Sequence, residues 1–256
     1  MRVLEDWLLT AERFAVHLPS ETAVVADLHL GYAEARRRGG EAVPEDAVNE
    51  QLAGLSRALQ RQGARRLVVA GDLFEDGRCR GARAAFQKWL RESDVELAAV
   101  VLGNHDGAFF EDGLRIAEGG FSVGGWRVIH GDEFGERGRV SAPRDEGPVV
   151  QGHEHPWLRW APKSRVVRPR LFGGRTTPGG IDGPCYLIAP QRLILPAFSP
   201  EAAGANVLSV RRWRAYRCAA IAGERVVDLG DVAGLGRRLT INSNAASTSP
   251  ISTRSC

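Results

Sequence analysis

Five short polar sets, each just after an apolar run, gather histidines, carboxylates and an asparagine able to hold metal ions. They are Asp27-Leu28-His29, Gly71-Asp72, Gly103-Asn104-His105-Asp106, His130-Gly131-Asp132 and Gly152-His153-Glu154-His155. Five of the six histidines lie in them, and only His17 falls outside. The apolar run Leu67–Ala70 delivers Asp72 to the end of a buried strand. There a carboxylate faces water at a sheet edge, where open α/β folds keep their chemistry. A lone Gly-Asp after a strand is a common turn, so its weight comes from the sets that recur with it. Imidazoles and carboxylates crowded at one edge repel or stay unsatisfied unless cations organise them. Asp72 therefore reads as a carboxylate shared by two metal ions, with the other sets around it.

Mixed imidazole, carboxylate and amide ligands without thiolate favour Mn, Fe or Zn over copper, and over an all-oxygen magnesium site. Two such ions roughly 3.5–4 Å apart orient a phosphate, generate hydroxide at neutral pH and stabilise an in-line transition state. Spacing alone leaves a mononuclear hydrolase open. Cys79, Cys185, Cys218 and Cys256 are scattered with no Cys-x-x-Cys pair. Neither a zinc knuckle nor a disulfide framework is indicated. His17, away from the sets, reads as a satisfied structural histidine.

The elements that must position these residues begin with one or two edge strands over residues 1–22, where Phe14, Val16 and Leu18 alternate with polar or small neighbours. Ala23–Ala26 is a central strand ending at Asp27. Pro44 to Gln62 has the marks of a helix: Pro44 in a first turn, Glu45 and Asp46 on its dipole, and Gly63 as its stop. Leu67–Ala70 is the next strand, Arg80–Arg91 a second helix, and Leu97–Leu102 a strand entering Gly103. This β-α-β-α-β rhythm belongs to a layered α/β fold. From Gly119 short strands take over at Phe121–Val123, Trp126–Ile129, Val149–Val150, Tyr186–Ile188 and Leu193–Leu195. They imply a second sheet packed on the first within one domain, residues 1–239. Gly173–Gly183, rich in Gly, Thr and Pro, reads as a surface loop. Thr240–Cys256, mostly Ser, Thr, Asn and Ala, is expected to be disordered.

The chain has 256 residues, 43% hydrophobic and 25% charged, the composition of an ordinary globular protein with a substantial core. No apolar stretch approaches the roughly 20 residues that span a bilayer, and no membrane partner is expected. Glu5 and Asp6 break any signal-peptide core at the start, which leads to a cytoplasmic expectation. Net charge is a mild +3, but Lys88 and Lys163 are the only lysines among the basic residues. Arginine suits bidentate phosphate contacts. Arg36-Arg37-Arg38 follows closely on the Asp27/His29 set, and Arg165, Arg168 and Arg170 follow the last histidine set. Either run could grip a phosphate backbone or form a solvated face.

Asp-x-His, Gly-Asp, Gly-Asn-His-Asp, His-Gly and Gly-His-x-His, in this order over residues 24–156, resemble the five motifs of the calcineurin-like metallophosphoesterases. The resemblance implies a four-layer α/β sandwich, two mixed sheets flanked by helices. It assigns Asp27, His29, Asp72 and His155 to one metal, and Asp72, Asn104, His130 and His153 to the other. It makes His105 the non-ligand histidine at the leaving-group oxygen, with Asp106 orienting its imidazole.

A narrower resemblance rests on Asp27-Leu28-His29-Leu30-Gly31-Tyr32, Gly152-His153-Glu154-His155-Pro156, Pro184-Cys185-Tyr186-Leu187 and Leu195-Pro196-Ala197-Phe198-Ser199-Pro200. These are similar to the ligase-associated DNA-damage-response phosphoesterases. That resemblance implies a manganese-dependent endonuclease on single-stranded DNA in repair, associated with ligase or helicase proteins. Two features depart from it: Glu75 stands where the pattern has a second Asp, and Gly173–Gly183 looks longer than the corresponding loop. Pro196-Ala197-Phe198 has no evident chemical role and reads as a packed turn. The leading expectation is a binuclear phosphodiesterase on single-stranded DNA, with Arg36, Arg37 and Arg38 as substrate contacts. The rivals are the same centre acting on a small nucleotide-like ester, and a non-catalytic repair scaffold.

Overall fold

Consecutive residues from Ala23 to Ala26 alternate between two apolar layers, and that alternation sets the architecture. The computed structural model describes residues 1–44, 47–106, 113–132, 147–160 and 180–236. Ala23 and Val25 pack with Leu52, Leu55, Leu59 and Phe86, whereas Val24 and Ala26 pack with Val128, Val150, Tyr186 and Leu195. Leu67 and Val69 join the first group, and Val68 and Ala70 the second. The run is continuously apolar because both faces of its sheet are covered.

The first sheet runs β1 (Arg2–Val3), β2 (Trp7–Leu9), β3 (Ala15–His17), β4 (Thr22–Val25), β5 (Arg66–Ala70), β6 (Glu96–Val101) and β7 (Ile116–Ala117), in that order. Pairing is antiparallel from β1 to β4 and parallel from β4 to β7. Parallel neighbours need crossovers. Helices α1 (Tyr32–Arg38), α2 (Val48–Arg61) and α3 (Arg80–Glu92) lie within them and supply the outer layer.

The second sheet comprises β8 (Phe121–Val123), β9 (Trp126–Ile129), β10 (Val149–Gln151), β11 (Pro156–Trp160), β12 (Ile181–Ala189), β13 (Arg192–Ile194), β14 (Ala205–Asn206), β15 (Arg217–Ala222) and β16 (Arg225–Asp231). Its order is β14-β11-β12-β13-β10-β9-β8, with β15 and β16 continuing from β12, and it is also mixed. Tyr186 and Ile188 point to the first sheet, while Cys185 and Leu187 point outward to Val207, Trp213, Val232 and Leu235. That outer layer is thin among the described residues: short 3-10 turns at Val207–Ser209 and Arg211–Trp213 and the helical residues 232–236 do the covering. The buried Tyr186 hydroxyl lies 2.7 Å from Thr10 O and 3.0 Å from Phe14 O, which ties the N-terminal strands to the second sheet. His17 is buried, with Nδ1 2.8 Å from Ser20 Oγ, as a structural histidine should be.

Several expectations change. The edge region holds three strands, and both Phe14 and Ala15 are buried on opposite faces. The helix expected from Pro44 starts at Val48, with Glu45 and Asp46 outside the described residues. Of Gly173–Gly183, residues 173–179 lie outside the described residues, and Ile181 to Gly183 are paired in β12. Arg165, Arg168, Arg170 and the Thr240–Cys256 tail also lie outside them. No described helix is long and apolar enough to cross a membrane.

Candidate metal centre

The C-terminal ends of β4, β5, β6, β9 and β10 meet along one edge, and each polar set sits on one of them. Asp27 follows β4, Asp72 follows β5, Asn104 and His105 follow β6, His130 follows β9, and His153 and His155 lie between β10 and β11. The first two loops are zipped together. Asp27 N donates to Gly71 O (3.1 Å), His29 N to Asp72 O (2.9 Å) and Leu30 N to Leu73 O (2.9 Å).

The backbone here is held in costly conformations. Five of the nine described non-glycine residues with positive φ are Asp27 (56°), His29 (46°), Asp72 (48°), His153 (64°) and His155 (40°). Left-handed backbone in such residues is uncommon and persists where surrounding structure enforces it, typically at functional sites. The glycines of the sets allow the close packing. A Cβ on Gly103 would stand 2.2 Å from Asp72 Oδ1, and one on Gly71 would stand 2.1 Å from His130 Nδ1. Gly103→Ala should therefore displace Asp72 and lower metal-supported hydrolysis by about 100-fold, as an Å-scale misplacement at a reacting centre does. A rate within threefold of wild type would show that the loop yields at no cost.

Asp27, His29 and His155 bring ligand atoms within 4.8 Å of one another, and so do Asp72, His130 and His153. Asp72 lies between the groups, its Oδ2 3.9 Å from His29 Nε2 and 3.4 Å from His130 Nε2. Its Oδ1 accepts from His105 N at 2.9 Å. His29, Asp72 and His105 also share a 4.8 Å neighbourhood, so the His105 ring opens on the same space.

The ring nitrogens are sorted by their anchors. His130 Nδ1 lies 3.2 Å from Ala70 O, His155 Nδ1 3.1 Å from Ala203 O, and His105 Nδ1 2.9 Å from Glu75 O. A carbonyl only accepts, so each Nδ1 carries a hydrogen and leaves Nε2 for the centre, the arrangement that orients metal-ligating histidines. Around His130 Nε2 stand Asn104 Oδ1 (3.1 Å), His153 Nδ1 (3.1 Å) and Asp72 Oδ2 (3.4 Å). Lone pairs gathered this way are unfavourable unless a proton or a cation sits among them. His29 Nδ1 lies 2.9 Å from Glu75 Oε2 but off the line of a hydrogen bond. Both His29 nitrogens and His155 Nε2 are buried without hydrogen-bond partners. Orphaned nitrogens beside fully buried carboxylates, in ligand groups that hold no cysteine among the described residues, fit divalent first-row ions.

Charge balance follows from the same contacts. Burial pushes the Asp27 carboxyl up, but His155, His130 and His29 outweigh it and hold it below the ordinary range. Burial lowers His105, yet the Glu75 carbonyl and the Asp72, Glu75 and Asp106 carboxylates together raise it above its usual value. His153 is lowered, by burial first and by His130 second.

Asp106, expected to orient the His105 imidazole, has other partners. Its Oδ2 accepts from Gly103 N (2.9 Å) and its Oδ1 from Phe74 N (3.2 Å), while burial pushes its carboxyl up to about 6. Two backbone donors in a closed loop capture it, and the Glu75 carbonyl orients His105 instead. Glu75 is the residue that sequence reasoning underrated. The glutamate in place of aspartate reaches both His29 Nδ1 and His105 Nδ1, the latter at 3.8 Å. Arg36, Arg37 and Arg38 lie exposed on α1, which begins three residues after His29. Arg36 pairs with Glu41 (2.9 Å) and Arg38 with Asp76 (2.8 Å). Such exposed pairs are worth about 0–1 kcal/mol and exchange readily for another anion.

The family model described as calcineurin-like phosphoesterase matches residues 21–168, more than half of the chain and the whole span from Asp27 to His155. The crystal structure of nuclease MPE from Pseudomonas putida is similar, with a TM-score of 0.63 over 87% of this chain and 94% of that one. The two sequences are 20% identical, so the likeness is one of fold. No curated protein matches the sequence.

Proposed function

The chain belongs to the calcineurin-like phosphoesterase family and is a metal-dependent phosphoester hydrolase, and we propose that it cleaves single-stranded DNA in the cytoplasm during repair. The observation that carries the chemistry is the pair of ligand groups joined by Asp72. In this reading Asp27, His29, Asp72 and His155 hold one ion, and Asp72, Asn104, His130 and His153 the other. Manganese is the ion we assign. When bound, two such ions supply Lewis acidity and activate water at neutral pH.

The protein's own residues do the rest. Asp72 keeps the two ligand groups at one spacing, braced by His105 N. His105, with Nδ1 fixed by the Glu75 carbonyl, serves the leaving-group oxygen through Nε2. Asp106 holds the Gly103 turn closed beneath it. Arg36, Arg37 and Arg38 take the phosphates flanking the cut. That a protein of the same fold is a nuclease supports a nucleic-acid substrate, and so does an exposed three-arginine helix beside His29. Repair ligase or helicase proteins are the partners this reading implies.

Salt dependence tests the substrate. A protein that holds single strands through n phosphates loses about 0.7n log units of affinity per log unit of salt. Neutralising Arg36, Arg37 and Arg38 to Gln should raise the Michaelis constant for single-stranded DNA and flatten its slope by about two log units. An unchanged slope makes the run a solvated face. Cleavage of a small diester without any cleavage of DNA would assign the centre to small substrates.

A further inference from the structure

Two stretches singled out in the sequence have no part in holding metal: Leu30-Gly31-Tyr32 and Pro196-Ala197-Phe198-Ser199. The fold brings them together beside the centre. Phe198 N donates to Ala26 O (2.9 Å) and Ser199 N to Asp27 O (3.1 Å), so the second stretch runs against the strand end that carries Asp27. Arg13 Nη1 reaches the Phe198 and Ser199 carbonyls at 3.5 and 3.3 Å, which anchors it from the other side. Tyr32 opens α1 and lines the same cavity as Phe198. Both stretches line a cavity of about 520 Å³ whose wall includes His29, Tyr32 and Phe198, together with Glu50, Gln51 and Gly54 of α2. That volume is in the range of small-ligand sites, ~300–1,000 Å³.

The lining says what kind of group belongs there. His29 belongs both to the cavity wall and to the metal centre, so an occupant lies next to the place where the phosphate is cleaved. The walls are mainly apolar, with two aromatic rings, which suits a flat, uncharged ring system. Besides His29, the polar residues of the wall are Glu50, Gln51, Ser199 and Glu201. Gln51 Nε2 is committed to Leu28 O at 2.8 Å, which leaves its amide oxygen to accept. Acceptors of this kind suit amino groups and ring N–H, and the two carboxylates repel a further phosphate. The Arg36 guanidinium lies 5.0 Å from the centroid of the Tyr32 ring, so one aromatic wall of the cavity also carries a cation that could meet a neighbouring phosphate.

We propose that this cavity is a base-binding subsite, taking the unstacked nucleobase attached to the phosphate that the metal centre cleaves. The inference rests on the nucleic-acid reading given above and names what holds the strand besides phosphate contacts. It also gives the Pro-Ala-Phe stretch a role: Phe198 is wall, not merely turn.

Binding and cleavage together test it. Two fluorescent single strands with the same phosphates are compared, one with cytosine bases and one abasic throughout. With the full chain in chelator, anisotropy should show the base-bearing strand bound about tenfold or more tightly. Gly54→Phe fills the cavity from α2, where an added Cβ meets only Arg57 Nη2 at 4.0 Å, so the fold accepts it. That variant should bind both strands alike. Tyr32→Leu, which keeps apolar bulk and removes one ring, should lose part of the preference. Equal binding of the two strands by wild type, or a preference untouched by Gly54→Phe, overturns the subsite. If manganese-loaded wild type also cuts DNA in that case, the subsite alone fails. If it neither binds nor cuts either strand, the nucleic-acid reading fails with it.

Discussion

Asp72→Ala should remove both metal ions and reduce phosphodiester turnover by about 10³-fold or more, the equivalent of several kcal/mol of lost charge stabilisation. Its Oδ2 is the carboxylate oxygen placed between His29 Nε2 and His130 Nε2, at 3.9 and 3.4 Å. The side chain is 3% exposed, so no water replaces it at low cost. Without it the Asp27 group and the His130 group become separate, incomplete sets. The fold should survive, because the flanking strands are held by their own ladders and apolar layers. Metal analysis, turnover and circular dichroism on one preparation give the answer. A folded variant that keeps two ions and its rate would rule out a shared carboxylate.

His105→Ala separates holding metal from doing chemistry. Its Nδ1 is committed to the Glu75 carbonyl, and its ring faces the space beside His29 and Asp72. If Nε2 serves the leaving group, the loss on DNA should be about 10²–10⁴-fold, the usual worth of positioned proton transfer. A nitrophenyl diester, whose leaving group needs little help, should suffer far less, and both ions should remain bound. Equal losses on the two substrates remove His105 from that role. Loss of an ion instead makes it a ligand, the use its neighbourhood with His29 and Asp72 would then have.

How much of this the sequence carried differs by element. The strands that deliver the polar sets were plain, because β4, β5 and β6 are covered on both faces and so read as unbroken apolar runs. Phe121–Val123 and Trp126–Ile129 were found residue for residue. The β15–β16 hairpin was not foreseen. Cys218, Ala219 and Ala220 are small and have little strand preference of their own; pairing with β12 places Ala219 in the inner apolar layer and Cys218 and Ala220 in the outer one. Pro44 misled for a related reason: it has the angle for a first helical turn, but Val43, Pro44 and Ala47 line the cavity and α2 begins after them.

Within the site, the residues singled out from strand-end position do come together at one edge. Their partners were less legible, because those depend on contacts far apart in the chain. Asp106 lies next to His105 in sequence, yet the Gly103 and Phe74 amides take its oxygens. Arg13 reaches across 185 residues to Phe198. Neither periodicity nor spacing carries such information. The positive φ of Asp27, His29, Asp72, His153 and His155 is equally silent in sequence, since glycine or asparagine would have been the usual signal.

Metal stoichiometry of the wild-type chain, titrated against activity, tests the central claim most directly. Metal-free protein is given manganese in steps, and bound metal and diester hydrolysis are followed together. The account predicts saturation at two ions per chain, with hydrolysis rising chiefly as the second ion binds. Full activity at one ion per chain, or hydrolysis that persists in metal-free protein, would contradict it.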